Sequence, residues 1–250
     1  MSTEIVAFNS RDEVALFEEY FDKYLSVRTQ SPIERISLTE AYDRLQTRKD
    51  GGRIFSALLD IHVNFLFLYL DVHSVGATWD QLLAKGKLEG GSLFDSKTRF
   101  YGKMEIHRFT TAYVLRYRAL WDKLLGLMVL LFVPDEYEAF TNAKSKRLRF
   151  QKLAEKHQIA EEQFLKKLND MLTSFDNAFP IERQGEEAFS DYSIVIESLD
   201  HNPQIELMKF WNAANGFISK FGKIFSKLPN PAAIKRTRSA ANKEKEAVTF

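Results

Sequence analysis

The chain has 250 residues, with 35 lysines and arginines against 34 aspartates and glutamates, so its formal net charge is +1. Hydrophobic residues make up 45% and charged residues 28%, a balance that excludes both an intrinsically disordered chain and an ordinary membrane protein. There is no cysteine, which excludes a disulfide scaffold, a thiolate zinc site and a cysteine nucleophile, and fits a reducing compartment.

The sequence also predicts a soluble cytoplasmic protein without a membrane partner. Its first residues, MSTEIVAFNSRDE, lack the basic segment and apolar run of a signal peptide. The two most apolar stretches are 54–72, which contains Asp60, His62, Asn64 and Asp71, and 124–133, which has only ten residues. A membrane helix needs about 20 largely apolar residues, so we interpret both stretches as buried helices.

Helix signals recur through the first third of the chain. Ser10 and Ser37 each begin a capping box, and each is expected to start a helix. Residues 53–72 are apolar nearly all round, which is typical of a central helix in a bundle. Thr78 begins another capping motif, which predicts a separate brief helix that ends at Gly86.

Four further helices are predicted in the rest of the chain. The first covers 96–133, with Gly102 as a candidate break and an apolar stripe at spacings of three and four. Pro134 stands at a position where proline begins a helix. A long amphipathic helix is expected over 145–179 and a last one over 203–228. The members of the apolar stripe are Ile106, Phe109, Tyr113, Tyr117, Leu120, Leu124, Leu127 and Leu131.

These patterns together predict the fold class. No segment has the sustained period-two alternation of a strand, and no fixed-period repeat is found. We therefore expect an all-α, single-domain bundle of about seven to nine helices around long central helices. The bundle should cover residues 1–230, and residues 231–250 should form a basic, solvated tail.

Signatures of catalysis and of metal binding are missing from the sequence. It has no phosphate-binding loop, dinucleotide fingerprint, nucleophile elbow or zinc-binding H-E-x-x-H helix. The five histidines are far apart and lack the spacing of metal ligands. We expect no metal, no cofactor and no catalytic residue.

A charged run interrupts the apolar helix near residue 120. Arg116, Arg118, Asp122 and Lys123 lie there, and buried charges cost free energy unless they are paired. One interpretation is a site for an anionic ligand made by these four residues. Another is a structural Arg118–Asp122 pair, with the other two side chains reaching water. A third is a small-ligand pocket near Tyr113, Arg116 and Lys123.

A second group of basic residues, Lys144, Arg147, Arg149 and Lys152, begins the helix predicted over 145–179. Such residues on one side of a helix suit a nucleic-acid backbone. The alternative is the solvated face of an amphipathic helix.

The last predicted helix is rich in aromatic residues at helical spacing. Such a stripe is typical of a core or of a dimer interface, although Trp211 and Phe217 would also suit base stacking if they were exposed. The aromatic residues are Phe210, Trp211, Phe217, Phe221 and Phe225.

The R-x-R-x-x-W-D-K run at 116–123, in a long helix of an all-helical chain, resembles the HEPN-like superfamily of helical bundles, mainly over residues 99–133. Many members of that superfamily are homodimeric, metal-independent ribonucleases, marked by an arginine followed closely by a histidine. Arg99 with His107 and Arg149 with His157 each have seven residues between them, which departs from that mark. Other members act as binding or partner modules.

The hypothesis is therefore a non-catalytic, HEPN-like binding or assembly module. It would be homodimeric through an aromatic-rich helical face and would bind an anionic ligand or nucleic acid at the charged run. The alternative is a metal-independent ribonuclease of a defence or toxin system.

Overall fold

A computed structural model describes residues 10–28, 37–46, 48–85, 97–160, 162–179 and 202–225. Within these ranges the regular structure consists of eight α-helices and one 3-10 helix, without any strand. The predicted all-α bundle of seven to nine helices is confirmed.

The helices follow one another along two compact units. Residues described within 1–62 and 215–250 belong to the first unit, and those within 63–214 belong to the second. One domain over 1–230 stays a prediction, and the tail at 231–250 lies outside the described residues. The helices are α1 (Arg11–Arg28), α2 (Leu38–Leu45), α3 (Gly51–Ala84), α4 (Lys97–Phe132), the 3-10 helix (Pro134–Glu136), α5 (Tyr137–Thr141), α6 (Lys146–His157), α7 (Glu162–Ala178) and α8 (Gln204–Phe225).

In the first unit, serine side chains cap α1 and α2 as predicted. The hydroxyl oxygen of Ser10 accepts a hydrogen bond from the backbone N–H of Glu13 at 3.2 Å, and that of Ser37 accepts one from Glu40 at 3.2 Å. Each bond satisfies a backbone donor that has no partner inside its helix. Both predicted helix starts are therefore confirmed.

A buried carboxylate of α1 adds a second cap to α2. Glu18 accepts hydrogen bonds from the backbone N–H groups of Leu38 and Thr39, each at 3.0 Å, and from the Thr39 hydroxyl at 2.6 Å. Charged acceptors form strong hydrogen bonds with the N–H groups that begin a helix. This single side chain fixes the start of α2 against α1, a link that the sequence did not predict.

In the second unit, the C-terminal part of α4 is enclosed on every side. All residues from 124 to 131 are buried, and α4 contacts the 3-10 helix, α5 and α6. The predicted apolar stripe is buried except for Phe109, which is half-buried. The prediction that this helix contributes centrally to the core is thus confirmed for the second unit.

Two predicted helix boundaries are wrong. α3 continues through Thr78, whose hydroxyl donates to the Ser74 carbonyl at 2.8 Å inside the helix instead of capping a new one. The helix predicted over 145–179 is two helices, because Gln158 adopts a left-handed conformation (φ 52°) that ends α6. Gly102 does not break α4; it lies against Leu82 of α3.

The aromatic stripe of α8 is core over the part that the structure describes. Trp211 stacks on Phe65 with ring centroids 5.0 Å apart, and the Phe210 carbonyl accepts a hydrogen bond from the Tyr117 hydroxyl. Phe217 is also buried. Base stacking needs exposed rings, so it has no platform on these three residues, while the side chains of Phe221 and Phe225 lie outside the described residues.

One described helix is long and apolar enough, by length and composition alone, to cross a membrane. It is α3, and half of its most apolar window is buried inside the protein. A core helix of a soluble protein passes the same test, so the test does not distinguish the two.

Candidate anion-binding site

The first member of the charged run, Arg116, is used in a contact with α3. Its Nη1 atom lies 2.5 Å from Oδ2 of Asp71, and its guanidinium carbon is 5.1 Å from the centre of the Phe67 ring. Burial raises the pKa of the Asp71 carboxyl, and the hydrogen bond and charge of Arg116 oppose that rise. Arg116 therefore compensates a carboxylate that is largely removed from water.

Arg118 leaves α4 toward α7 instead. Its Nη2 atom donates to Oδ1 of Asp176 at 3.1 Å and to the Phe179 carbonyl at 2.9 Å. The predicted Arg118–Asp122 pair is therefore wrong. An arginine at this place satisfies a carbonyl at the C-terminal end of α7, where a positive charge is favourable.

The remaining two members of the run have other surroundings. Asp122 is exposed, yet partial loss of hydration raises the pKa of its carboxyl, and the charge of Lys146 opposes the rise. Lys123 is half-buried and makes contacts of its own. Arg116, Arg118 and Asp122 are thus directed toward α3, α7 and the start of α6, and the structure does not bring them together as one site.

The predicted pocket near Tyr113 is not open at that residue. Tyr113 is fully buried, and its hydroxyl donates to the Leu207 carbonyl at 2.8 Å. Burial raises the pKa of this phenol far above its ordinary value. Tyr113 therefore links α4 to α8 and does not line an accessible pocket.

Two of the four residues in the predicted basic group form contacts within the protein. Arg147 donates to the Asn169 side chain at 2.8 Å and to the Thr173 hydroxyl at 2.6 Å. Lys144 and Lys152 are exposed, and neither has a partner within the described ranges. Contact with nucleic acid at this surface stays a prediction.

Glu136 gathers three basic side chains of α6. Its carboxylate lies 2.7 Å from Arg149 Nη2, 3.0 Å from Lys156 Nζ and 3.8 Å from His157 Nε2. The hydrogen bond from Lys156, followed by the charges around it, lowers the pKa of Glu136. The cluster thereby joins Arg149 and His157, the second of the two widely spaced arginine–histidine pairs.

A different basic group lies in the N-terminal half of α4. Arg99, Lys103 and His107 are spaced by four residues, which places them on one side of the helix; we call these three residues the α4 basic face. Arg99 is 7% exposed and Lys103 is 6% exposed. Burial also lowers the pKa of His107.

Lys103 is the unusual member of the α4 basic face. Lysine is almost never fully buried in proteins; most of the Lys103 side chain is buried, but its ammonium nitrogen is not among the buried polar atoms that lack a hydrogen-bond partner. The sequence indicates Arg99 and His107 as a widely spaced pair but does not single out the lysine between them. The four-residue spacing was the signal that would have found it.

The described residues also contain no group of three or more histidine, aspartate or glutamate side chains placed to hold a metal ion. Comparison with known proteins adds no family: no protein-family model, no curated protein and no solved structure matches the chain. The HEPN-like resemblance stays a prediction, and the functional argument depends on the geometry above.

Proposed function

We propose that the protein is a non-catalytic helical binding module for an anionic ligand, which it holds at the α4 basic face. The observation that carries the proposal is that Arg99 and Lys103, two cationic side chains one helical turn apart, are only 7% and 6% exposed. Charges in a partly dehydrated place attract an anion more strongly than charges on an open surface do. A bound anion would interact favourably with both side chains.

The position of the site differs from the one that the sequence suggested. Arg116 and Arg118 already interact with Asp71 and Asp176, so an incoming anion would have to compete with these carboxylates. At the α4 basic face, Arg99 lies one turn from Lys103 and adds positive charge to the same side of the helix. A ligand there meets two cations and displaces no ion pair of Lys103.

The direct test is binding of inorganic phosphate, measured by isothermal titration calorimetry at low ionic strength. We expect the wild-type protein to bind phosphate and Lys103→Gln to lose at least roughly tenfold in affinity, a change of about 1.4 kcal/mol. Lys97→Gln is the matched control, since Lys97 is exposed on the same helix and its loss should leave the affinity unchanged. Equal affinities in the two variants, or no heat with wild-type protein, would contradict the proposal.

The proposal includes the remaining features of the HEPN-like hypothesis, namely a cytoplasmic, homodimeric assembly module. The all-α fold and the R-x-R-x-x-W-D-K run at 116–123 support it. Phe210, Trp211 and Phe217 are buried in the core, so a dimer would not use these three rings. Light scattering coupled to size-exclusion chromatography tests this feature: we expect twice the mass of 29.0 kDa, and a monomer at micromolar concentration would remove it.

The second candidate, a metal-independent ribonuclease, is favoured by one observation. Glu136 brings Arg149 and His157 to a single carboxylate, and an arginine with a histidine marks the ribonucleases of the superfamily that the chain resembles. Cleavage of single-stranded RNA in EDTA is the test. Activity that His157→Ala abolishes and that His73→Ala retains would replace the binding module by this enzyme, whereas no cleavage by wild-type protein would eliminate the enzyme.

A further inference from the structure

A cavity of about 450 Å³ lies between α6 and α7, and no residue of the α4 basic face lines it. Ligand sites in proteins commonly enclose about 300–1,000 Å³, so the cavity has room for a small molecule. Its lining is mostly polar, and the charged members are Glu155 of α6 and Glu162 and Lys166 of α7. The class of ligand depends on how these charges and the amides beside them are arranged.

Hydrogen bonds between α6 and α7 fix how the two walls of the cavity face each other. Arg147 donates to the Thr173 hydroxyl at 2.6 Å, and one turn later Gln151 donates to the Asn169 side chain at 3.0 Å. The residue number rises along α6 while it falls along α7, so the two helices are antiparallel. One further turn therefore places position 155 across from positions 165 and 166.

Charges of opposite sign line the cavity from its two walls. Glu155 of α6 and Lys166 of α7 lie at about the same level, and Glu162 adds a second carboxylate one turn from Lys166. None of these three side chains forms an ion pair or a hydrogen bond within the described ranges of the chain. Because the walls present both a carboxylate and an ammonium group, the complementary ligand carries one group of each charge.

Two amide side chains of the lining are held in one orientation. The Asn169 Oδ1 atom accepts hydrogen bonds from Arg147 Nε at 2.8 Å and from Gln151 Nε2 at 3.0 Å. These bonds leave Asn169 Nδ2 as a donor and Gln151 Oε1 as an acceptor, and neither atom is among the buried polar atoms that lack a partner. The donor suits a carboxylate of the ligand, and the acceptor suits its ammonium group.

We infer that this cavity binds a small zwitterion of the amino-acid class, a molecule with one ammonium and one carboxylate group. Glu155 and the Gln151 Oε1 atom would hold the ammonium group, while Lys166 and the Asn169 Nδ2 atom would hold the carboxylate. Leu165 and two alanines provide the apolar part of the lining, which an aliphatic chain of the ligand would contact. The inference goes beyond the function proposed above, because it concerns a different set of residues.

The test compares the affinities of four probes for the full chain by calorimetry: L-leucine, 5-aminopentanoate, N-acetyl-L-leucine and L-leucinamide. We expect at least one of the two zwitterions to bind at least roughly tenfold more tightly than N-acetyl-L-leucine, which lacks the ammonium group, and L-leucinamide, which lacks the carboxylate. Tighter binding of L-leucine would assign the site to α-amino acids, and the reverse order would assign it to zwitterions with more distant charges. Equal binding of all four probes, or no binding of any, would overturn the inference.

Two variants assign each charged group of the ligand to its wall. Lys166→Gln should remove the preference for L-leucine over L-leucinamide, and Glu155→Gln should remove the preference over N-acetyl-L-leucine. Both side chains are exposed, so neither change should unfold the protein. Lys167→Gln is the matched control, since Lys167 is an exposed neighbour on α7 that does not line the cavity, and it should bind like wild type. Unchanged preferences in both cavity variants would also overturn the inference, whatever the result for phosphate at the α4 basic face.

Discussion

Asp71 and Arg116 form an ion pair between α3 and α4 in which the two partners differ in exposure. The Asp71 side chain is 10% exposed and that of Arg116 is 39% exposed, with 2.5 Å between Oδ2 and Nη1. The carboxylate has therefore lost most of its hydration, while the guanidinium keeps part of its own. Removing Arg116 should lower the free energy of unfolding by more than the loss of a surface ion pair would, because it leaves the buried Asp71 carboxylate without its opposite charge.

We expect Arg116→Gln to lower the free energy of unfolding by about 1–3 kcal/mol at neutral pH. Chemical denaturation followed by circular dichroism measures this loss, and Lys97→Gln, an exposed change on the same helix, should cost almost nothing. In the background of Asp71→Asn the effect of Arg116→Gln should shrink to below about 0.5 kcal/mol. Fully additive effects would show that the pair does not couple α3 to α4.

The same pair predicts a pH dependence with a definite sign. Burial raises the pKa of Asp71 above its ordinary value of 3.8, so the folded protein keeps this proton at pH values where the unfolded chain has released it. Stability from this group is therefore present at low pH and is lost as the pH rises through the raised pKa. Without Arg116 the pKa of Asp71 rises further. The loss of unfolding free energy in Arg116→Gln should therefore be smaller near pH 4, which is about the ordinary pKa of an aspartate, than near pH 7. A cost independent of pH would contradict this explanation.

Arg118 and Asp176 should respond unequally to mutation. Asp176 is about half exposed, and exposed ion pairs contribute little, so Asp176→Asn should cost less than about 0.5 kcal/mol. Arg118→Gln also loses the hydrogen bond to the Phe179 carbonyl and the contact with the Phe175 ring, and we expect about 1–2 kcal/mol. Urea denaturation of the two variants in parallel checks the order, and equal costs would assign the whole effect to the ion pair.

Glu18 should be among the most sensitive positions of the first unit. Glu18→Gln keeps the shape of the side chain but replaces one accepting oxygen by an amide donor. The N–H groups of Leu38 and Thr39 bond to different oxygens of Glu18, so one of them loses its acceptor. We expect a loss of about 1–3 kcal/mol in the free energy of unfolding. The exposed neighbour Glu19 provides the control, because Glu19→Gln changes charge equally but removes no cap. Similar losses in both variants would argue against a specific cap.

Gly102 lies where α4 closely approaches α3, and a substitution at this position can test that approach. A Cβ atom at this position would lie 2.7 Å from Cγ of Leu82, which is 3% exposed and therefore has little room to move. Alanine is the better helix former by about 1 kcal/mol, but we expect the overlap to dominate and Gly102→Ala to destabilise by about 1–3 kcal/mol. Thermal unfolding measures the effect, and in the background of Leu82→Ala the same change should be neutral or stabilising.

Much of the fold was predictable from local signals. The serine caps at Ser10 and Ser37 and the apolar stripe of α4 depend on spacings within a few residues, and these predictions are confirmed. The errors have a common cause: Thr78 and Gln158 were judged without knowledge of their backbone conformation. A threonine that begins a capping motif also fits inside a helix when its hydroxyl bonds to the preceding turn, and a left-handed glutamine has no signature in sequence.

The charged residues were harder to predict, since their partners are distant in the chain. Asp71 is 45 residues from Arg116, and Asp176 is 58 residues from Arg118. Helical spacing identifies partners within one helix, so the sequence suggested Asp122 for Arg118 in place of Asp176. The sequence also does not show how far Lys103 is buried. This burial is the property that makes Lys103 a candidate ligand-binding residue.

The enclosure of residues 124–131 on all sides has a consequence for the dynamics of α4. The backbone N–H groups of that segment can meet deuterated solvent only when the surrounding helices separate, so their exchange should require opening of the whole second unit. Residues 97–112 have one exposed side, and their amides can exchange through smaller openings. Mass spectrometry of peptides should therefore find slow deuterium uptake over 124–131 and faster deuterium uptake over 97–112. The half of α4 that carries Lys103 is then free to adjust locally while the other half stays fixed.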